Sequence, residues 1–347
     1  MIRSAVAASG LCLALGLGVA SGPARAEDPP APATTAAPAA SPTPPATAPA
    51  AEAAAPRNRR LLNGHDFLPS AVPAPIAVST FSLEVGFSAA TATGPTYRLD
   101  GDPTGETRTY SWGGMGQAIR FQTVFLDHLA IRGGLTTSLA SGIDGWSALV
   151  VGTSVQAGVG LGAEWSMAVG DTVRLGASLD LDSAPQLNLL VAAAIFNAIK
   201  TGGADPAGAL EIGNVLSALP ALSVAWAPTA ALGLAARAGY GWSSVDAGTY
   251  GTFSRQGLAL GLAADLDLDK VWKVPLGVGL TWAETVPTDG TPAGIRNVGL
   301  AVMYTGKQDV VVGATLGERI LNIRPQYDVP LKSSSGYLDV VLKMYWP

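Results

Sequence analysis

Cysteine is almost absent from this chain: among its 347 residues the one cysteine is Cys12. It lies in an apolar run that follows the basic residue Arg3 and ends in an A-x-A cleavage pattern at residues 24–26. This order of features predicts a secretory signal peptide over residues 1–26. The mature chain would then hold no cysteine, which excludes disulfides, thiolate catalysis and cysteine-ligated metals.

Histidine is nearly as rare, with His65 and His128 alone. Neither has neighbours at the spacing of metal ligands, and the sequence contains no H-E-x-x-H or G-x-S-x-G motif. Asp265, Asp267 and Asp269 share one face of a predicted strand, and we interpret them as a solvated rim in preference to a cation site. The sequence therefore predicts no metal, no other cofactor and no catalytic site, and we do not expect an enzyme.

Charged residues are also few, at 14% of the chain, with 21 basic and 26 acidic residues. Removal of residues 1–26 takes away Arg3 and Arg25, which leaves 19 basic residues and a net charge of about −7. This acidic balance argues against nucleic acid as a partner. Residues 27–60 are mostly Ala, Pro and Thr, a composition that cannot bury enough apolar surface to fold, so we expect a disordered tether there.

Long apolar runs are missing as well. After residue 26 no window of about 18 consecutive apolar residues occurs, so the sequence predicts no transmembrane helix. Instead, every second residue is apolar, as in the run Val159, Leu161, Ala163, Trp165 and Met167. This period of two recurs over residues 78–347 and predicts about twelve strands, with a range of roughly ten to fourteen.

Short and long connections alternate between the predicted strands. The long connections are residues 94–116, 141–148, 183–219, 243–256, 284–295 and 317–336. The alternation predicts a single antiparallel, up-and-down transmembrane β-barrel with short turns in the periplasm and long loops outside. An even number of strands puts both chain ends, and the tether with them, on the periplasmic side.

The predicted signal peptide, the repeated alternation and the last strand, YLDVVLKMYW, resemble the bacterial outer-membrane β-barrel class of porin-like and transporter-like proteins. The resemblance covers residues 78–347. It implies location in the outer membrane, outer-membrane lipid around the wall, and recognition of the C-terminal strand by the barrel assembly machinery. Pro347 after Trp346 departs from the aromatic end usual for that strand. The alternative fold is a soluble β-sandwich, whose strands rarely run this long.

A barrel in lipid turns its apolar residues outward and its polar residues toward the lumen. The residues predicted to line the lumen carry both signs of charge: Glu84, Arg120, Arg132, Glu164, Arg174, Asp180, Arg237, Asp265, Asp339 and Lys343. They form either a transverse field that makes a pore selective or structural ion pairs that close a narrow lumen. The predicted aromatic girdle consists of outward residues near strand ends: Trp165, Trp242, Trp282, Tyr304 and Trp346.

Two segments stand outside the strand pattern. Residues 61–77 precede the first strand and form either a plug in the barrel or a periplasmic collar. In loop 183–219 the apolar residues follow helical spacing and predict two amphipathic helices. The helices carry, in order, Leu187, Leu190, Val191, Ala194, Ile195 and Ala198, then Ile212, Val215, Leu216 and Leu219. They either pack within the loop, cap or enter the barrel, or form an apolar entry groove, as external helical segments do in fatty-acid-transporter-like barrels.

The leading hypothesis is a passive outer-membrane channel or transporter for small solutes, with hydrophobic or lipid-like cargo included and loop 183–219 shaping entry. It rests on the Gly/Ala-lined, mixed-charge lumen and the apolar loop segments. The alternative is a structural or anchoring barrel whose tether reaches a periplasmic partner. A barrel enzyme is the weakest hypothesis, because neither histidine lies on a predicted lipid-facing strand.

Overall fold

Twelve antiparallel strands close into a barrel in the computed structural model of the chain, which describes residues 60–76, 78–97, 103–126, 128–144, 147–148, 152–189, 210–246, 252–288, 293–307, 309–323 and 331–346. The strands of these ranges are β1 (Ser79–Tyr97), β2 (Pro103–Leu126), β3 (Leu129–Gly142), β4 (Thr153–Val169), β5 (Val173–Leu189), β6 (Leu210–Trp226), β7 (Leu232–Asp246), β8 (Thr252–Asp267), β9 (Leu276–Pro287), β10 (Ala293–Lys307), β11 (Val310–Ile323) and β12 (Leu331–Trp346). Each pairs with two neighbours, and β1 pairs with β12. The predicted all-β, up-and-down barrel is confirmed.

The alternating sequence builds this wall because successive side chains of a strand point to opposite faces. Along β4, Val159 and Leu161 are 53% and 65% exposed on the outer face, whereas Glu164 and Ser166 are buried on the inner face. The register keeps the parity from strand to strand, since Leu161 pairs with Leu181 of β5. Closure then leaves no sheet edge with unpaired amide and carbonyl groups, which a lipid environment would penalise.

The strands run further than the sequence pattern predicts. β1 reaches Tyr97 and β2 begins at Pro103, so most of the predicted loop 94–116 is strand. The predicted loops 243–256, 284–295 and 317–336 are shortened in the same way. The Ala92–Tyr110 and Thr93–Thr109 pairs show the reason: backbone pairing continues where the side chains no longer alternate between apolar and polar.

The two helices predicted in loop 183–219 need correction. β5 extends to Leu189 and β6 begins at Leu210, so strand replaces helix at both ends of that loop. Leu187 and Ile212 pair directly with each other. The members of the predicted helices that lie in strands are Leu187, Ile212, Val215, Leu216 and Leu219. Those that lie outside the described residues are Leu190, Val191, Ala194, Ile195 and Ala198.

One end of the barrel collects the short connections. The turns after β2, β4, β6 and β10 lie there, together with a five-residue helix, α1 (Leu268–Trp272), between β8 and β9. Asp267 caps α1, because its side chain accepts a hydrogen bond of 3.1 Å from the Asp269 amide. We call this end the short-turn end. The first residue of β1 and the last residue of β12 also lie there. In the described part of the chain, no helix is long and apolar enough to span a membrane.

Candidate functional site

Residues 60–76, which we call the plug, lie inside the barrel at the short-turn end. Leu62, Phe67 and Val72 pack in one buried cluster with alanines of β6, β7 and β8. Leu68 packs in a second cluster against β10 and β11. Burial of each of these side chains contributes roughly 1.5–3 kcal/mol. The segment therefore packs against the inner face of the wall at this end.

Glycines on the inner wall make room for the plug. A Cβ at Gly176, Gly233, Gly261 or Gly277 would come closer than 3.0 Å to a plug atom. The plug residues at these four contacts are, in that order, Pro75, His65 with Phe67, Val72 and Leu68. These contacts lie on β5, β7, β8 and β9, so the plug packs against one continuous stretch of the barrel wall.

A deeply buried polar contact joins the plug to the wall. His65 is fully buried, and its Nε2 bonds Oδ1 of Asp265 on β8. Its Nδ1 lies 3.3 Å from the carbonyl oxygen of Ala230, and Phe67 meets the imidazole edge-on with ring centroids 4.8 Å apart. Gly233 is the direct ladder partner of Asp265, so no wall side chain competes with the imidazole for that space.

The acidic group on β8 is therefore not the solvated rim that the sequence predicts. Asp265 and Asp267 are both buried. Asp265 holds His65, and Asp267 caps α1 and accepts a 3.4 Å hydrogen bond from the Thr305 hydroxyl. Burial was not visible in the sequence, because the plug that covers this end is distant along the chain.

The ends of the plug are fixed by polar contacts of their own. Arg60 forms a bidentate pair with Asp66, and its guanidinium lies 3.5 Å from the centroid of the Tyr345 ring. Burial raises the pKa of the Asp66 carboxyl, and the charge of Arg60 opposes that rise. At the other end, Gln122 of β2 donates hydrogen bonds of 2.9 Å to the carbonyl oxygens of Ile76 and Val78.

A layer of ion pairs covers the inner wall of β3 to β7. Arg132 of β3 bonds Oε2 of Glu164 at 2.7 Å and both carboxylate oxygens of Asp180, at 2.7 and 2.9 Å. Arg237 of β7 bonds Asp180 at 2.6 Å. Gly162 lies between Arg132 and Asp180 in the ladder and leaves the space through which they meet. These charges are linked along one wall and are not separated by sign onto opposite walls.

The other residues predicted to line the lumen also lie on the inward face. Glu84 and Arg120 form a pair between β1 and β2. Arg174 follows the inward parity of β5, and Asp339 and Lys343 follow that of β12. Oε1 of Glu164 is buried and has no hydrogen-bond partner among the described residues. What these ten residues do for a solute stays a prediction.

The wall formed by β8, β9 and β10 has a different character. It presents small residues to the interior, some of them against the plug: Ala259, Gly261, Ala283, Thr281 and Gly299. The lumen therefore has a charged side and a side of small, mostly apolar groups. In the described ranges, no group of three or more His, Cys, Asp or Glu residues is placed to hold a metal ion.

Outward aromatic residues surround the barrel. Trp165, Tyr304 and Trp346 are exposed near the short-turn end, together with Trp226, which is not among the five residues of the predicted girdle. Trp242 lies near the opposite end of β7. Trp282 faces outward in the middle of the sheet, where it pairs with Leu262 and Val298. Aromatic residues with this placement are typical of barrel walls that meet a lipid interface.

No protein-family model and no curated protein sequence matches the chain. Among solved structures, it is similar to a Pseudomonas aeruginosa FadL homologue, with 11% identity over 84% of this chain and 96% of that chain and a TM-score of 0.48. It is also similar to a deletion mutant of the monoaromatic hydrocarbon channel TodX, with 12% identity, 79% and 91% coverage and a TM-score of 0.41. The KdgM porin matches at 10% identity, with 75% and 99% coverage and a TM-score of 0.37.

The closed antiparallel wall and its apolar exterior give the chain the architecture of an outer-membrane β-barrel.

Proposed function

We propose that this protein is an outer-membrane channel or transporter for small solutes whose lumen is closed at the short-turn end by the plug. The proposal rests on one observation, which is that the plug is not part of the barrel wall. The barrel closes through the pairing of β1 with β12 and uses no residue of the plug to do so. The plug can therefore leave the lumen without breaking the sheet.

The chemistry of the lumen supports a small, partly apolar solute as cargo. Arg132, Glu164, Asp180 and Arg237 offer donors and acceptors on one side. The small residues of β8 to β10 offer a less charged surface to an apolar group once the plug has moved. A solute with one polar and one apolar part fits both sides at once.

The role predicted for loop 183–219 changes with its structure. Ile212 and Leu216 are exposed on the outer face of β6, so we expect them to contact lipid and not cargo. Val215 and Leu219 follow the inward parity and meet Val245 and the space beside Gly241. We propose that this inward apolar pair, on the paired strands β5 and β6, contributes to the entry path.

The orientation follows from the short turns. We propose that the short-turn end faces the periplasm, so that the predicted tether of residues 27–60 extends there and outer-membrane lipid surrounds the wall. Recognition of β12 by the barrel assembly machinery is part of the same proposal.

An anchoring barrel is the alternative, and one observation favours it. Both the plug and the ion pairs of Arg132 and Arg237 place side chains in the lumen. Such a barrel would hold its periplasmic tether in the membrane and would conduct nothing. The two functions predict opposite results when the plug is removed.

The test is conductance in planar bilayers for the mature protein and for a variant without residues 27–76. We expect rare openings for the mature protein and frequent discrete steps for the variant. A variant without residues 27–56 is the matched control, since it keeps the plug and should stay closed. Silence from all three, with the fold of each verified, would support the anchoring barrel and overturn the channel.

A further inference from the structure

The slot in which the His65 imidazole lies is part of the barrel wall. Its charged side is Asp265 of β8, and Gly233 of β7 lies directly opposite in the ladder. A Cβ at Gly233 would collide with the imidazole, so the slot exists because this position is glycine. The carbonyl oxygen of Ala230, 3.3 Å from Nδ1, provides a second acceptor on the other edge of the ring.

These groups together match the hydrogen-bonding edges of a flat, nitrogen-bearing cation. A carboxylate and a carbonyl oxygen accept hydrogen bonds, and they lie on the two edges of one planar ring. Both nitrogens of an imidazolium donate, so the protonated ring matches both acceptors. Asp265 is buried, and a buried carboxylate is costly unless a hydrogen-bonding partner is present.

The position of the slot connects it to transport. It lies at the short-turn end, beneath the ion pairs, where a solute that has crossed the lumen would leave the barrel. When the plug is displaced, His65 goes with it and Asp265 is left facing the lumen. The vacated slot is then open to a group of similar shape and charge.

We propose that Asp265, Gly233 and the Ala230 carbonyl form a binding slot for a planar nitrogen cation on the transported solute, and that His65 occupies this slot in the closed barrel as an intramolecular competitor. The proposal rests on the proposed channel function and names a substrate class for it. A solute of this class displaces His65 and so favours release of the plug.

Imidazole is the direct probe, and His65→Gly creates the empty slot. We expect titration calorimetry in detergent micelles to show saturable imidazole binding by His65→Gly that is at least tenfold tighter than binding by the natural protein. Addition of Asp265→Asn to His65→Gly should abolish that binding, and so should addition of Gly233→Ala, which fills the slot. Equal binding with and without His65, or binding that survives both second substitutions, would overturn the proposal.

Competition with the plug is measured in bilayers on the natural protein. Imidazolium chloride should raise the fraction of time that the channel is open by at least severalfold. Tetramethylammonium chloride at the same concentration is the control, because this cation has no N–H to donate and should leave opening unchanged. An equal effect of both salts would mean that ionic strength acts, and would overturn displacement by the slot's ligand.

The outcomes separate the slot from the channel. Imidazole binding by His65→Gly, with silence from the variant without residues 27–76, would keep the slot and remove the channel. Conductance by that variant without imidazole binding would keep the channel and remove the slot.

Discussion

At the scale of the residue, small side chains on the inner wall decide where the plug lies. Gly176, Gly233 and Gly261 each leave space that a plug side chain fills. The positions of the inner-wall glycines therefore match the positions of the plug side chains. The hydrogen bond between His65 and Asp265 is directional and adds to these apolar contacts.

Removal of one partner of that pair should loosen the plug. His65→Ala leaves the Asp265 carboxylate buried without its imidazole, a loss worth about 3–5 kcal/mol when a buried pair is broken. We expect faster hydrogen exchange at residues 60–76 and unchanged exchange in the strands. The double variant His65→Ala/Asp265→Leu should regain part of the protection, because it leaves no unpaired charge. Unchanged exchange at the plug in His65→Ala would show that this pair does not hold it.

A methyl group added to the inner wall should also loosen the plug, although it removes no contact. In Gly261→Ala the new Cβ would lie 2.6 Å from Cγ2 of Val72, and overpacking of this kind costs about 1–3 kcal/mol. Gly336→Ala is the matched control, since a Cβ there has no atom within 4 Å. Limited proteolysis at the plug should be faster in the first variant alone; equal rates in both would mean that the wall does not position the plug.

The sequence predicts which face each charged residue occupies, because parity along a strand is a local property. It does not predict the partners. Arg132 reaches Asp180 two strands away across Gly162, and His65 meets Asp265 from a distant segment of the chain. The sequence predicts Asp265 to be part of a solvated rim because the group that buries it, His65, belongs to no strand.

At the scale of the element, β6 shows how one spacing fits two structures. Ile212 and Leu216 are four residues apart, which places them on one face of a helix and also on one face of a strand. Val215 and Leu219 repeat that spacing on the inner face. The apolar residues on both faces of β6 resemble a helical stripe, and pairing with β5 and β7 decides for the strand.

Spin labels placed one at a time on residues 212–217 should reveal this strand. Because the mature sequence is predicted to lack cysteine, each label has a single attachment site. We expect accessibility to oxygen from the lipid to alternate, with high values at positions 212 and 216 and low values at 213 and 215. A period near 3.6 residues would contradict the strand and restore the predicted helix.

At the scale of the whole molecule, closure explains why the fold could be predicted and the closed lumen could not. A barrel in lipid requires every strand to turn its apolar side chains outward. This requirement places an apolar residue at every second position of the sequence. The plug has no such period. Leu62, Phe67, Leu68 and Val72 match glycines and alanines that are spread over β6 to β10, and these matches exist only once the wall has closed.

A reversible covalent lock would show whether the plug closes the barrel. A Cβ at Gly261 would lie 3.5 Å from Cβ of Val72, within the range of about 3.5–4.5 Å that a disulfide needs. The double variant Val72→Cys/Gly261→Cys should therefore attach the plug to β8 through a disulfide. Adding His65→Ala removes the hydrogen bond between the plug and Asp265. Oxidation can be verified by mass before each recording.

The measurement is single-channel conductance of this triple variant before and after reduction. Silence in the oxidised state, followed by discrete steps once the disulfide is reduced, is the result predicted by a plug that must move for solute to pass. Equal conductance in both states would contradict a plug that closes the barrel. It would show that ions pass without any movement of residues 60–76.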